Sequence, residues 1–228
     1  MTGRRSVWRN LVDVVHAPRA TFDDVREHAR WAAPLTAVLV ATAIVSYVML
    51  PSLIQLQRLQ VFDRIPLEKQ AEALKQVEAF AGLPGLVLSV ITTPVIMLLV
   101  TVLLWGFALV TGRQDARFST AFTAIVYANV VYVLQALVQA AIIVVRGAEQ
   151  VAADGGPPLF GLSLVVERAA VSPLAWGVLG NVNVFSIWHA FVLAIAGMHA
   201  MRMAREPAIA FAAVLWVVGG LVFGLQQG

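Results

Sequence analysis

The chain contains no cysteine. That excludes a disulfide framework, a thiolate nucleophile and any Cys-ligated metal, and it leaves the redox compartment open. Charge is the second shortage. Asp, Glu, Lys and Arg make up 13% of the 228 residues, about half of the ~25% usual in a soluble domain. Too little polar surface remains to cover a water-soluble globule. Signatures of common enzyme chemistry are missing as well. There is no His-Glu-x-x-His for zinc, no Gly-x-Ser-x-Gly elbow and no P-loop. An intramembrane aspartyl protease needs buried acids, and the long apolar runs hold none.

What is present is apolar. Hydrophobic residues make up 60% of the chain, and mean hydropathy is +0.81. Five stretches, Ala32–Ile54, Leu86–Thr111, Ser119–Val145, Val184–Met201 and Ala208–Leu225, contain no Asp, Glu, Lys or Arg. A run of about 18 such residues crosses the ~30 Å hydrocarbon core as a helix. Backbone groups in lipid must be satisfied inside a helix or a closed barrel. Long continuous runs, rather than alternating ten-residue strands, select helices. The expected fold is all-α: a polytopic transmembrane bundle of five helices with short interfacial amphipathic helices. Residues 1–31 form a cytoplasmic amphipathic segment. Residues 32–228 form the five-span domain, with outside loops at 55–85 and 146–183. Span one follows a long polar lead and exceeds twenty residues, so it is expected to be retained rather than cleaved as a signal.

The pI of 9.8 does not point to nucleic acid, because the cations flank the spans. Ten of the sixteen fall on one side of a five-span arrangement: Arg4, Arg5, Arg9, Arg19, Arg26, Arg30, Arg113, Arg117, Arg202 and Arg205. The other six (Arg58, Arg64, Lys69, Lys75, Arg146 and Arg168) are spread over long loops among seven acids. The positive-inside rule then makes the N-terminus cytoplasmic and the C-terminus periplasmic or outside.

Two short helices are expected before span one. In the first, Trp8, Leu11, Val12 and Val15 recur at helical spacing, with Arg5 and Arg9 on other faces. The pattern suits a helix lying on the membrane with its arginines near anionic headgroups. Pro18 ends it, and Thr21 reads as the N-cap of the second. In the first outside loop Pro66 opens an amphipathic helix to Phe80, closed by Gly82, Pro84 and Gly85. Span two carries Thr92–Thr93–Pro94, a kink whose hydroxyls are placed to bond the freed carbonyls. Gly155–Gly156–Pro157–Pro158 reads as a turn. Leu159–Val166 is too short to span. A short helix, Leu174–Leu179, follows Ser172–Pro173.

Polar residues inside spans are the candidates for function. Asn129, Gln135, Gln139 and Asn183 either line a pathway or headgroup site or make hydrogen bonds between helices, the plainer reading. His189 lies one turn into span four and His199 near its cytoplasmic end. Both read as polar packing residues, since no acid accompanies them within the membrane. Ser186, Ala190 and Ala194 at steps of four, and Gly220 and Gly224, are candidate close-packing positions. Glu149, Asp154 and Glu167 have no histidine nearby in sequence to build an acid–base pair. No cofactor or metal site is indicated.

Three stretches resemble a known family. They are Pro18–Arg19–Ala20–Thr21–Phe22, Phe118–Ser119–Thr120–Ala121–Phe122 leading to Tyr127–Ala128, and Asn183–Val184–Phe185–Ser186–Ile187–Trp188 followed by Gly197. With five spans, the chain from Leu11 to Val222 is similar to the bacterial branch of the Yip family, the Rab-interacting-type integral membrane proteins. The resemblance implies a non-enzymatic protein of a bacterial inner membrane that organises membrane or binds other membrane proteins, or itself. Eukaryotic members bind prenylated small GTPases through a long cytosolic N-terminal region. Here about thirty residues precede span one, so GTPase binding is not expected. The alternative is a small carrier or channel for an ion, lipid or hydrophobic solute, motivated by Asn129, Gln135, His189 and the Pro94 break. Reporter fusions after Thr111 and after Gly228 should report opposite compartments, and agreement between them would overturn the five-span reading.

Overall fold

The computed structural model describes residues 5–153, 161–166 and 170–225. The expected turn at Gly155–Pro158, the start of Leu159–Val166, and Asp154, Glu167 and Arg168 lie outside them. The chain forms two compact units. One comprises residues 1–38, 96–132 and 159–228, the other residues 39–95 and 133–158. Among the described residues the architecture is helical, with one isolated bridge between Gly161 and Asn183.

Helix α1 (Val7–His16) starts with Ser6 as N-cap, its hydroxyl accepting from the Arg9 amide. Helix α2 (Pro18–Glu27) begins one residue after α1 is capped by Ala17. Pro18 thus opens α2, and Thr21 is not its cap. Thr21 sits inside α2 and is fully buried. The reason is local: proline at N1 is pre-set for a helix and lacks an amide that would go unpaired.

Helix α3 (Ala32–Arg64) is 33 residues long, about 50 Å at 1.5 Å per residue. The stretch expected to leave the helix at Ile54 continues in it. Gln55–Arg64 has neither Gly nor Pro, and the helix stops only before Pro66, which disfavours helical backbone in the preceding residue. Helix α4 (Leu67–Ala81) is the expected amphipathic piece, capped by Gly82. Helix α5 (Leu83–Val110) runs through Pro94. Thr92 and Thr93 donate to the carbonyls of Leu88 (2.7 Å) and Ser89 (2.8 Å). Neither takes the Val90 carbonyl, the one that Pro94 deprives of an amide. A threonine hydroxyl in a helix reaches its own i−4 carbonyl most easily.

The third crossing is divided at Asn129 into α6 (Phe118–Ala128) and α7 (Val130–Arg146). Both the backbone amide and the side-chain amide of Asn129 donate to the Ile125 carbonyl, at 3.0 and 2.9 Å. A short polar side chain competing for backbone in this way interrupts the ladder. Helix α8 (Ala148–Ala153) follows. In the second unit it packs Val151 with Ile143 against Met49 and Leu53, and Gln55 Nε2 donates to Glu149 Oε1 at 3.1 Å.

A single 3₁₀ turn (Leu162–Val165) leads toward α9 (Pro173–Asn181), α10 (Val184–His199) and α11 (Arg205–Leu225). By length and composition α3, α5, the α6–α7 pair and α11 each suffice to cross a membrane. The expected fourth span, Val184–Met201, differs. Helix α10 has 16 residues, about 24 Å, short of the ~30 Å core. Contacts along α11 show what completes it. Gly224 faces Leu174, Gly220 faces Asn181, Trp216 meets Ser186 and Ala208 meets Gly197. Helices α9 and α10 thus run antiparallel to α11 as one crossing, broken at Asn183.

Gly224 and Gly197 make close approaches at this seam. A Cβ on Gly224 would lie 2.7 Å from the Leu174 carbonyl oxygen, and one on Gly197 would lie 3.1 Å from Ala208 Cβ. Gly219, one residue from Gly220, faces open space. Gly224→Ala should therefore destabilise the protein by about 1–3 kcal/mol through overpacking. Gly219→Ala should match or exceed the parent, since alanine is the better helix former. Thermal midpoints in one detergent give the ordering.

Candidate functional site

Two places in the first unit gather polar side chains. The first is the end where α2, the loop 111–117, the start of α6 and the end of α10 meet. These are the segments that a five-span arrangement assigns to one side. Helices α1 and α2 fold onto α6 and α10, burying Val14, Phe22 and Val25 completely or nearly so. The apolar residues of α1 therefore face two ways. Val14 is buried, while Trp8 (71%) and Val12 (63%) stay exposed, with Leu11 and Val15 between.

Asp24 ties this end together. Its carboxylate, 8% exposed, accepts from Asn10 Nδ2 at 2.7 Å, Arg30 Nη2 at 3.3 Å and the Arg5 amide at 3.3 Å, with His28 Nδ1 at 3.4 Å. Arg30 also donates to the Arg5 carbonyl at 2.8 Å. Arg5 and Arg9, expected to reach toward headgroups, converge on Asp13 at 2.7 and 3.3 Å. Asp13 is one turn from Arg9 on α1 and two turns from Arg5, which precedes the helix, and a carboxylate this near neutralises them more directly than a lipid surface does. His199 meets Asp23 at 3.1 Å, linking α10 to α2. His28 stands at the local i,i+4 spacing from Asp24, but Arg30, Asn10 and Arg5 lie 6 to 19 residues away, and no local spacing rule announces them.

Aromatic rings line the same end. Trp31 packs on Phe122 (centroids 5.7 Å apart), Phe122 stacks with Phe118 (6.5 Å), and Phe118 meets Trp105 edge-on (5.9 Å). Trp105 Nε1–H donates to the Ala116 carbonyl at 3.0 Å. A row of this kind is the form that a membrane-interface belt takes. Trp31 directly precedes the first apolar run, but the other three rings come from two elements that only folding aligns.

The second place is the break between α9 and α10. Asn183 Oδ1 accepts from the amides of Phe185 and Ser186, each at 2.9 Å, and Ser186 Oγ accepts from the Asn183 amide at 3.2 Å, a capping box. Asn183 Nδ2 donates to the Gly180 carbonyl at 3.1 Å. Ser186 Oγ also donates to the Asn181 carbonyl and accepts from Trp216 Nε1–H, the latter at 3.2 Å. The Phe185 and Ser186 amides and the Gly180 and Asn181 carbonyls at the break thus have partners. An apolar groove of about 690 Å³ lies beside it, lined by Leu162, Val184, Ile187, Trp188 and Phe191 among others.

The remaining polar candidates are scattered. His189 stacks on Tyr132 with ring centroids 4.1 Å apart. Asn129 is occupied by its own helix. Gln135 and Gln139 are half-buried on α7. Ala190 is half-buried and Ala194 buried on α10. Among the described residues no group of three or more His, Cys, Asp or Glu is placed to hold a metal.

The Pro18–Phe22 stretch is the start of α2, Phe118–Phe122 the start of α6, and Asn183–Trp188 the capped start of α10. Helices α2, α6 and α10 pack on one another. The model of the Yip1 domain matches residues 12–226. The chain belongs to the Yip family. No curated protein and no solved structure matches it. In this Yip-family membrane protein, the matched region runs from α1 to the end of α11. Asp24→Ala should strand Arg30 and Asn10 without a carboxylate. Breaking a partly buried pair in this way costs less than the about 3–5 kcal/mol of a fully buried one. Trypsin should then cut at the arginines of α1 and α2 at least several-fold faster, while far-ultraviolet circular dichroism stays near the parent. Unchanged cleavage would mean that Asp24 does not hold the two helices down.

Proposed function

We propose that this Yip-family protein is a non-enzymatic membrane protein that organises the bilayer or binds other membrane proteins, its own copies included. Its setting is a bacterial inner membrane, with the N-terminus cytoplasmic and the C-terminus periplasmic. One observation carries the reading. Helix α1 is docked by one face, and that docking leaves Trp8 and Val12 exposed on the other. An aromatic and a β-branched residue held outward on a fixed helix form an adhesive surface without a chemical centre. The same docking argues against a free N-terminal arm for a prenylated small GTPase.

A carrier for a lipid or hydrophobic solute is the second reading, favoured by the groove beside the Asn183 break. Broken membrane helices often bind substrate with the exposed end of a half-helix. Here Asn183 and Ser186 occupy that end themselves. Asn129 and His189 are likewise engaged, by Ile125 and Tyr132.

A photo-crosslinking side chain at position 8 should trap membrane-protein partners or a second copy of the chain in cells. Val12→Asn should reduce the adduct several-fold. Absence of protein adducts, together with unchanged membrane behaviour on deletion of the gene, would end the first reading. Liposome flux that survives Asn129→Leu and His189→Leu would show that any transport avoids both residues.

A further inference from the structure

The end where α2, α6 and α10 meet holds a cavity of about 230 Å³ lined by Arg26, Arg117, Arg202, Asp115, Thr120 and Met201 among others. Three arginines and one acid line its wall, with Asp23 and Glu27 beside Arg26. These arginines come from three separate segments, and none makes a close hydrogen-bonded ion pair. Arg26 stands 3.6 Å from Asp23 and 3.9 Å from Glu27, beyond good hydrogen-bond distance. Arg202 stands 3.5 Å from Asp115, both well exposed, a pairing of little strength in water. Arg117 has no ion-pair partner among the described residues.

Two further features single out this cavity. Arg202 has a left-handed backbone, φ 55, in the turn where the Met203 amide donates to the Gly197 carbonyl at 3.0 Å. Glycine adopts that conformation without cost, and an arginine does not. A strained residue whose side chain lines a pocket is a sign that the side chain is used there. Arg117 is also the N-cap of α6, an 11-residue helix with no side-chain cap, so the positive end of that helix opens beside it. The Trp31–Phe122–Phe118–Trp105 row flanks the same segments, and such belts sit at headgroup level.

We propose that this cavity binds a phosphate monoester at the membrane surface, held by Arg26, Arg117 and Arg202. Guanidinium groups match phosphate oxygens in charge and geometry. A monoester carries about −1.5 to −2 at neutral pH and presents three terminal oxygens to the three guanidinium groups, whereas a diester carries a single charge and two such oxygens. The volume lies below the ~300 Å³ at which sites for drug-sized ligands begin, which suits a phosphate with a short stem. The proposal rests on membrane location, not on which side this end faces or on whether Trp8 binds a partner.

The test uses the full chain in nanodiscs of phosphatidylcholine alone or doped with phosphatidic acid or phosphatidylglycerol, with bound lipid counted by native mass spectrometry. Phosphatidic acid should be retained over phosphatidylglycerol by about tenfold. The double variant Arg117→Gln/Arg202→Gly should abolish that preference. Arg202→Gly keeps the left-handed turn, so loss of binding is separable from misfolding. Arg113→Gln, in the same loop but outside the cavity, should leave the preference intact. In the parent, displacement of phosphatidic acid by glycerol 3-phosphate or inorganic phosphate would assign the site to a soluble phosphate. No displacement would assign it to the lipid. Equal retention of both anionic lipids, or equal loss in Arg113→Gln, would overturn the proposal in favour of diffuse surface charge.

Discussion

Hydrocarbon offers no partner to a backbone amide or carbonyl, so an interruption in a membrane helix must be satisfied by the protein itself. The crossing formed by α9 and α10 meets that requirement at Asn183. One side chain receives the first amides of α10 and gives its own amide to the end of α9, and Ser186 and Trp216 complete the set. With the break sealed, α10 holds a fixed position against α11, and α2 and α6 pack on its other faces. The glycines of α11 serve the same seam, because only a bare Cα admits the Leu174 carbonyl at Gly224.

The opposite end of α10 is built from charge instead. Asp24 and Asp13 collect arginines from α1 and from the approach to α3, and Asp23 reaches His199. This fastens two short helices that would be marginal alone, since isolated helices of ten residues rarely persist in water. It also sorts the arginines. Arg5 and Arg9 converge on Asp13, while Arg26, Arg117 and Arg202 line a cavity. A count of cations treats all of them alike, and their geometry does not.

The apolar runs and the all-α class were legible because hydrophobic length and the absence of charge act locally, residue by residue. The amphipathic helix after Pro66 followed from equally local rules. Other features were not. Gln55–Arg64 stayed helical because nothing in it breaks a helix, although its polarity suggested a loop. Thr21 looked like a cap, but Pro18 starts the helix earlier and Thr21 is buried against its neighbours. Asn129 and Asn183 were both noted as polar residues in lipid. Their roles, one interrupting α6–α7 and the other capping α10, depend on backbone that had not yet been placed.

Composition and hydropathy therefore determined that this is a helical membrane protein and roughly where its chain crosses, because desolvation of a segment depends on that segment alone. Tertiary structure decided which helices are broken, which glycines matter and which arginines remain available. Those outcomes depend on atoms brought together from segments tens to well over a hundred residues apart, as in the His199–Asp23 contact, and no window along the chain contains both partners.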